Sequence, residues 1–497
     1  MLAPHLRTLI AALTGATFAI AAQAAPGDLD TAGFGSGFGK VMTGIGSGDD
    51  YARALLLQPD GKIVVAGYCP NGSTYDFCLA RYTSNGSLDT AFGAGGKVIT
   101  GISSNGDYAH AIVLQPDEKV VVAGTCFGGS NDDFCLARYL SNGSLDSSFG
   151  SGGKVITAIG GATDSATALA LQPDGKIVAA GHCGTGLTDD FCVARYQSNG
   201  SLDTSFNGTG MVITPIGSSA DRATGLALQP DGKIVLAGYC LNGSNYDFCL
   251  ARYQTNGSLD SAFGAGGKVM TAIGPNNDNA TALALQPDGR IVVAGYCING
   301  GIADFCIARY QSNGSLDTRF NGTGMVITPI GGSTDRAAGL AIQPDGKIVL
   351  AGYCANVAND DFCLARYESS GAIDTGFGVS GKVITPIGSD YDTASALALQ
   401  PDGKIVIAGY CLNGADRDFC LARYEGGPFG YQNCKPDFDG DGVMRATTDG
   451  LVLARVLLGM TGSAVVGGIS FSANATRTTW PQLRDYFMTQ CGMSLVP

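Results

Sequence analysis

Basic clusters, histidine and a second long apolar run are scarce or missing in this chain. Of its 497 residues, 30 are Lys or Arg and 43 Asp or Glu, a formal charge of −13. An acidic chain without a basic patch lacks the electrostatic footprint of nucleic-acid binding and of docking on anionic membranes. The three histidines leave little for zinc, whose sites favour cysteine spacings of two to four residues with histidine help. No segment after residue 25 is long and apolar enough to span a bilayer. No singular acid/base or nucleophile constellation stands out either, which weighs against an enzyme.

What is present begins at the N-terminus. His5 and Arg7 give a short polar start, Leu9 to Ala22 is apolar, and Ala22-Gln23-Ala24 has a cleavage-site pattern. Residues 1–25 therefore read as a secretory signal peptide cleaved near Ala24 and Ala25. The mature chain is expected to be secreted, periplasmic or at the cell surface. In an oxidising compartment the 16 cysteines, an even number, read as a disulfide framework.

Fourteen of those cysteines fall in pairs nine residues apart, recurring every 57 residues: Cys69 with Cys78, Cys126 with Cys135, Cys183 with Cys192, Cys240 with Cys249, Cys297 with Cys306, Cys354 with Cys363 and Cys411 with Cys420. A strict period means one supersecondary unit stacked on copies of itself. The 75 glycines fall largely at fixed repeat positions, as turn chemistry. In the first copy Gly39 to Thr43, Ala52 to Gln58, Lys62 to Cys69 and Phe77 to Tyr82 read as strands. Pro59-Asp60-Gly61 and Ser84-Asn85-Gly86-Ser87 are turns, with φ preset at Pro and positive φ allowed at Gly and Asn. Four antiparallel strands in each of seven units is the arithmetic of a seven-bladed, all-β propeller. A solenoid would carry polar capping repeats, and none is visible. With Ala52 to Gln58 innermost, the strand at 39–45 would complete the last blade, whose other strands lie in 394–424, and remove a free sheet edge.

The wording of the unit resembles a known family. Leu57-Gln58-Pro59-Asp60-Gly61-Lys62-Ile63-Val64-Val65-Ala66-Gly67, then Leu79-Ala80-Arg81-Tyr82 and Ser87-Leu88-Asp89-Thr90-Ala91-Phe92-Gly93, is similar to the delta-60 repeat of bacterial secreted proteins over roughly residues 27–425. The resemblance implies a propeller and export, and it implies no reaction. The paired cysteines are an addition to that pattern.

Each cysteine pair sits where the third strand ends and the fourth begins, so a bridge across one hairpin is expected, worth about 2.5–3 kcal/mol by chain entropy. Redox-active thiols would need a CxxC-type motif. Arg81, Arg138, Arg195, Arg252, Arg309, Arg366 and Arg423 recur in apolar strands and need carboxylates, with Asp76 or Asp89 as candidates in the first copy. Asp50, Asp107, Asp164, Asp221, Asp278, Asp335 and Asp392 precede the inner strands, where they are expected to bond local amides, with cation attraction as the alternative. The residues that break the repeat on that face form the candidate ligand surface: Tyr51, Tyr75, Tyr108, Phe127, Arg222, Tyr246, Arg336, Tyr391 and Arg417. His110, in the place of Arg53, and His182, in the place of Tyr68, read as satisfied structural histidines. The fourth and sixth copies share NGTGMVITPIG (207–217 and 321–331), as a duplicated two-unit block would.

The repeat stops after Glu425, and residues 426–433 read as a linker. Asp437, Asp439 and Asp441 open a DxDxDG loop in which Val443 could add a carbonyl and Asp449 the late acid, a Ca2+ pattern. Position twelve is Thr448, so Asp449 falls one residue late. With the helix pattern from Asp449 to Leu458, residues 434–497 resemble a dockerin type I-like, EF-hand module. The second half, around Ser472 to Ala475 and a helix from Pro481 to Gln490, lacks acidic ligands, which puts a cohesin-type partner in question. Cys434 and Cys491 bracket the module and are expected to bridge it. The leading reading is an exported, non-enzymatic propeller at 26–425 that binds a protein or carbohydrate. The rival is a secreted polysaccharide-active enzyme or carbohydrate-binding component.

Overall fold

A computed structural model describes residues 24–427 except 187 and 357–358, and beyond them 438–440, 448, 452, 455, 463–472 and 474–489. The expected signal peptide, apart from Ala24 and Ala25, and Cys434, Asp437, Asp441, Val443, Asp449 and Cys491 lie outside the described residues.

Seven separate four-stranded antiparallel sheets form a seven-bladed propeller. In blade 1 the inner strand is Tyr51–Leu57, followed outward by Ile63–Asn71, Thr74–Tyr82 and Lys97–Thr100. The second strand is apolar throughout because both of its faces are covered by neighbouring blades: Ile63, Val64, Val65 and Ala66 have no exposure. The turn before it closes as Pro-Asp-Gly allows. Gly61 takes φ +84° and donates to the Gln58 carbonyl at 2.9 Å, while the Asp60 carboxylate accepts from the Lys62 amide at 3.1 Å. Opposite, the inner strand carries a bulge between Ala52 and Ala54 that leaves Arg53 outside the ladder. The bulge brings the Tyr51 carbonyl against the second strand, where a Cβ on Gly67 would sit 1.9 Å from it; glycine is obligatory there. The same bulge recurs in every other blade.

The recurring arginines are explained by one anchor. Arg81 Nε donates to Asp89 at 2.9 Å, its guanidinium lies 4.5 Å over Phe92, and Nη1 donates to the Ser141 carbonyl of the next blade at 2.5 Å. A buried cation is thus paired with a carboxylate, stacked on a ring and tied across the seam. Of the two expected partners Asp89 is the one found; Asp76 instead accepts from Asn71 at 2.6 Å.

Blade 7 is a composite. Its inner, second and third strands are Asp392–Leu399, Ile405–Asn413 and Asp416–Tyr424, and its outer strand is Lys40–Thr43 from the other end of the chain. The closing strand expected at 39–45 is shorter than that span, and the solenoid alternative is overturned by the closure itself. More than a strand is contributed. Gly27 donates to Glu425, Glu425 to Asp28, and Asp30 and Phe34 supply the carboxylate and ring of the Arg423 anchor.

One disulfide per blade joins the second and third strands with Cα atoms 5.8–5.9 Å apart. The pairing is the expected one: Cys69 bonds Cys78, Cys126 bonds Cys135, Cys183 bonds Cys192 and Cys240 bonds Cys249. Cys297 bonds Cys306, Cys354 bonds Cys363 and Cys411 bonds Cys420 in the remaining three blades. The two cysteines of a bridge are not opposite each other in the ladder, as a simple cross-strand bridge would have them. The register pairs Cys69 with Asp76 and Gly67 with Cys78, so the bridge runs diagonally across the hairpin. The same offset sets Cys135, Cys192, Cys249, Cys306, Cys363 and Cys420 each opposite the glycine of its second strand. That glycine is the one the bulge demands, so the third-strand cysteine faces a position without a side chain.

The Asp50 carboxylate, with no exposure, accepts from the Ile45 amide at 2.5 Å and the Gly46 amide at 3.0 Å. The other six copies also accept from the amide five residues back. These carboxylates cap turns, as expected.

Among the described C-terminal residues, Ser463–Val466 and Trp480–Thr489 are helical. The second helix starts on a capping pair, with Gln482 accepting from the Thr479 hydroxyl at 2.9 Å and from its amide at 3.2 Å. Of the expected calcium ligands only Asp439 is described. It is buried, and its carbonyl accepts from the amides of Thr476 and Arg477.

Candidate functional site

The hairpin end of each blade presents a few positions that the scaffold leaves free to vary: the residue after the capping aspartate, the bulge residue, their second-strand neighbour and one residue near the hairpin tip. In blade 1 these are Tyr51, Arg53, Tyr68 and Tyr75, with Tyr51 opposite Tyr68 in the ladder. Blade 2 adds Tyr108 and His110 beside them, and blade 7 adds Tyr410 and Arg417.

These side chains converge. Tyr51 lies 5.0 Å from Tyr68, 6.2 Å from Tyr75 and 4.9 Å from Tyr410, centroid to centroid. Tyr68 packs edge-on against Tyr75 at 5.5 Å and Tyr108 at 5.0 Å. Five half-buried tyrosines thus form one continuous aromatic surface across blades 7, 1 and 2. Arg53 stands in its midst, 5.3–5.8 Å from the centroids of Tyr51, Tyr68 and Tyr410, and donates to the Tyr68 hydroxyl at 2.7 Å. At the edge, Asp49 accepts from the Arg417 amide at 2.8 Å, from its guanidinium at 2.9 Å and from the Tyr51 hydroxyl at 3.2 Å. The Arg417 amide and guanidinium hold Asp49 below the usual carboxylate range.

His110 lies 6.5 Å from the Tyr68 ring. Burial, then the charge of Arg53, pushes its pKa down to about 3, so the imidazole is neutral at physiological pH. Burial and the charge of Arg222 likewise lower His182 to about 4. The expectation of a satisfied structural histidine fails for His182. His110 belongs to the aromatic cluster, and His182 Nδ1 is buried without a hydrogen-bond partner among the described residues.

The nine residues expected to form a ligand surface divide. Tyr51, Tyr75, Tyr108 and Arg417 join the cluster. Arg222 is closed on Asp189 at 2.7 Å, Arg336 lies 4.7 Å over Tyr296, and Tyr246 packs on Tyr239 at 5.4 Å, all on the arc of blades 3 to 6. Phe127 ends the second strand of blade 2. Tyr391, half exposed, lines a separate cleft of about 550 Å³ with Ser333, Asn356 and Asp360. Sequence reasoning missed Arg53, Tyr68, Tyr410 and Asp49. The signal was there for Arg53: it is the one arginine among the seven bulge residues, where Thr167, Thr224 and Thr281 bond backbone carbonyls instead.

Seven segments match the model described as a domain of unknown function (DUF5122) β-propeller: 58–92, 115–149, 172–206, 229–263, 286–320, 343–377 and 400–426. No curated protein matches the chain in sequence. Among solved structures, a catalytically inactive virginiamycin B lyase from Staphylococcus aureus with quinupristin is 11% identical, covering 77% of this chain and 98% of its own, at a TM-score of 0.47. A PL25 ulvan lyase bound to a GlcA(1-4)Rha3S saccharide is 11% identical, covering 78% and 96%, at 0.43. Drosophila Plexin A in complex with Semaphorin 1b is 10% identical, covering 78% and 86%, at 0.40. Nothing about activity follows from likenesses at this level.

Proposed function

We propose, for a chain that belongs to the DUF5122 β-propeller family, that it is an exported, non-enzymatic recognition scaffold whose tyrosine cluster binds a saccharide. The supporting observation is the convergence of five half-buried tyrosines at ring spacings of 4.9–6.2 Å on a face that is otherwise repetitive. Tyrosine offers an apolar ring face for the C–H face of a sugar and a hydroxyl for its polar edge, at the cost of ordering only two side-chain torsions. The disulfide of each blade and the anchor at each seam hold those rings before a ligand arrives, which lowers the ordering cost of binding. Export agrees with the leader pattern of residues 1–25 and with seven disulfides, and no described helix is long and apolar enough to cross a membrane. The loop opening at Asp437 is proposed to hold calcium in the C-terminal segment.

The rival enzymatic reading has one observation in its favour, the neutral His110 beside Arg53 and Tyr68. A base with a nearby cation is what proton abstraction from a sugar acid would use. Both readings share the binding step, which a glycan array with the mature chain tests. Retention of a saccharide is expected, with at least tenfold weaker binding after Tyr68→Ala or Tyr108→Ala. Binding unaffected by both substitutions would place the ligand elsewhere and end the proposal. Release of shortened or unsaturated products from the retained glycan would replace the scaffold reading with the enzymatic one.

A further inference from the structure

We infer that the tyrosine cluster recognises an anionic group, a carboxylate or sulfate, seated on the Arg53 guanidinium; this rests on the saccharide reading above. Arg53 is a cation of the hairpin face that the protein has not neutralised. Every anchor arginine has a carboxylate: Asp89 for Arg81, Asp146 for Arg138, Asp203 for Arg195, and so on around the ring to Asp30 for Arg423. On the hairpin face Arg222 has Asp189 and Arg417 has Asp49, while Arg336, over the Tyr296 ring on the far arc, is like Arg53 without a carboxylate ion pair among the described residues. Arg53 has three tyrosine rings and one phenol oxygen, and among the described residues no carboxylate pairs with it. Its Nε is buried and without a hydrogen-bond partner among those residues. The nearby carboxylate of Asp49 is already taken by the amide and guanidinium of Arg417.

The scaffold does not require a cation at this position. The bulge residue of blades 3, 4 and 5 is threonine, whose hydroxyl donates to a backbone carbonyl of the next blade at 2.7–2.9 Å. A guanidinium there costs desolvation that the rings return only in part. The unbalanced charge sits in a chain of net charge −13, so it is local, and the neutral His110 beside it adds none. A guanidinium is planar and can present parallel N–H donors, the geometry that two oxygens of a carboxylate or sulfate match. Tyr68 accepts from Arg53, which leaves the phenol proton of Tyr68 to donate to the same anion. The flanking rings then cover the apolar face of the sugar that carries it.

The test uses the mature chain and three polymers: polygalacturonate, its methyl ester and a sulfated galactan, titrated calorimetrically at fixed ionic strength. The wild type is expected to bind one of the two anionic polymers at least tenfold tighter than the ester. Arg53→Thr, the residue natural to three other blades, is expected to bring that preference below about twofold with an unchanged melting temperature. Tyr108→Ala weakens binding of charged and neutral chains alike. Equal affinity for ester and acids, or a preference that survives Arg53→Thr, overturns the inference while leaving the saccharide reading in place. If no polymer binds, inorganic sulfate decides. A melting temperature raised by sulfate over chloride at matched ionic strength in the wild type, and not in Arg53→Thr, supports the anion site; equal behaviour of the two proteins overturns it.

Discussion

Blades 1 and 3 share four strands, the inner-strand bulge, the diagonal disulfide and the arginine anchor, and they differ where the hairpin end meets its neighbours. Blade 1 carries Tyr51, Arg53, Tyr68 and Tyr75; blade 3 carries Ser165, Thr167, His182 and Asp189. In blade 3 three of these four residues close on protein, and His182 keeps a buried Nδ1 without a partner among the described residues. Thr167 reaches the Ala223 carbonyl at 2.7 Å, Ser165 accepts from Thr125 at 2.6 Å, and Asp189 holds Arg222. In blade 1 the rings close on each other and the charge stays open. Recurrence and closure mark the scaffold in this ring, while singularity combined with an unmet interaction marks the place kept for something else.

That contrast breaks first at the anchors. Arg195→Ala in blade 3 strands the Asp203 carboxylate, 2% exposed, and is expected to cost about 3–5 kcal/mol of unfolding free energy. Arg53→Thr in blade 1 is expected to change stability by less than about 1 kcal/mol. Denaturant titration of both variants measures the gap, and equal losses would erase the distinction between a scaffold arginine and a ligand arginine.

A smaller effect should appear with pH, because the capping and anchor carboxylates titrate in opposite senses. Burial raises Asp50 and Asp392, on the two blades that meet at the closing seam, to about 6 from an ordinary 3.8. A carboxyl whose folded pKa is raised stabilises fully below its unfolded value, and the stabilisation is lost as pH rises through the folded one. Arg195 and Ser205 hold Asp203 down against the opposing effect of burial. Ser148, Arg138 and Lys119 likewise outweigh burial and hold Asp146 at about 2. Their stabilisation disappears as pH falls below about 4. The melting temperature is therefore expected to rise by roughly 1–3 °C from pH 7 to pH 5 and to fall again below pH 4. A calorimetric pH series checks this, and Asp50→Asn should flatten the upper limb. A monotonic rise toward pH 8 would show that the seam carboxylates are not protonated on folding.

The smallest expected effect sharpens the boundary between ring and tail. Chelation of calcium should leave the melting of residues 26–425 unmoved and lower only that of the segment from 434 onward. No change in either transition would remove calcium from the proposal.

How much of this was legible in the sequence follows from what a period can encode. A 57-residue repeat with fixed turns gives strand number, blade count and the composite closing blade, because each is a matter of spacing. It could not choose between Asp76 and Asp89 as partner of Arg81, since both recur; the choice lies in the side-chain face, which brings Asp89 and Phe92 beneath the guanidinium. The candidate site was half legible. Tyr51, Tyr75, Tyr108 and Arg417 stand out as departures from the repeat. Tyr68 and Tyr410 did not, because tyrosine fills that place in five copies and looked like scaffold. Arg53 was overlooked because it lies within a strand, and only the bulge turns a strand residue out of the ladder.

The composite blade also sets an order of events for the cell. The outer strand of blade 7 and its Asp30 and Phe34 are made first, and their partners around Arg423 almost 400 residues later. The ring can shut only once the strand ending at Tyr424 has been made, so the segment at 26–43 waits for it. Pro26 accepts from Gly378 and Gly27 donates to Glu425, immediately after the expected cleavage point near Ala24 and Ala25. Removal of the leader would therefore trim the protein back to its own latch, making maturation and closure neighbours on the chain.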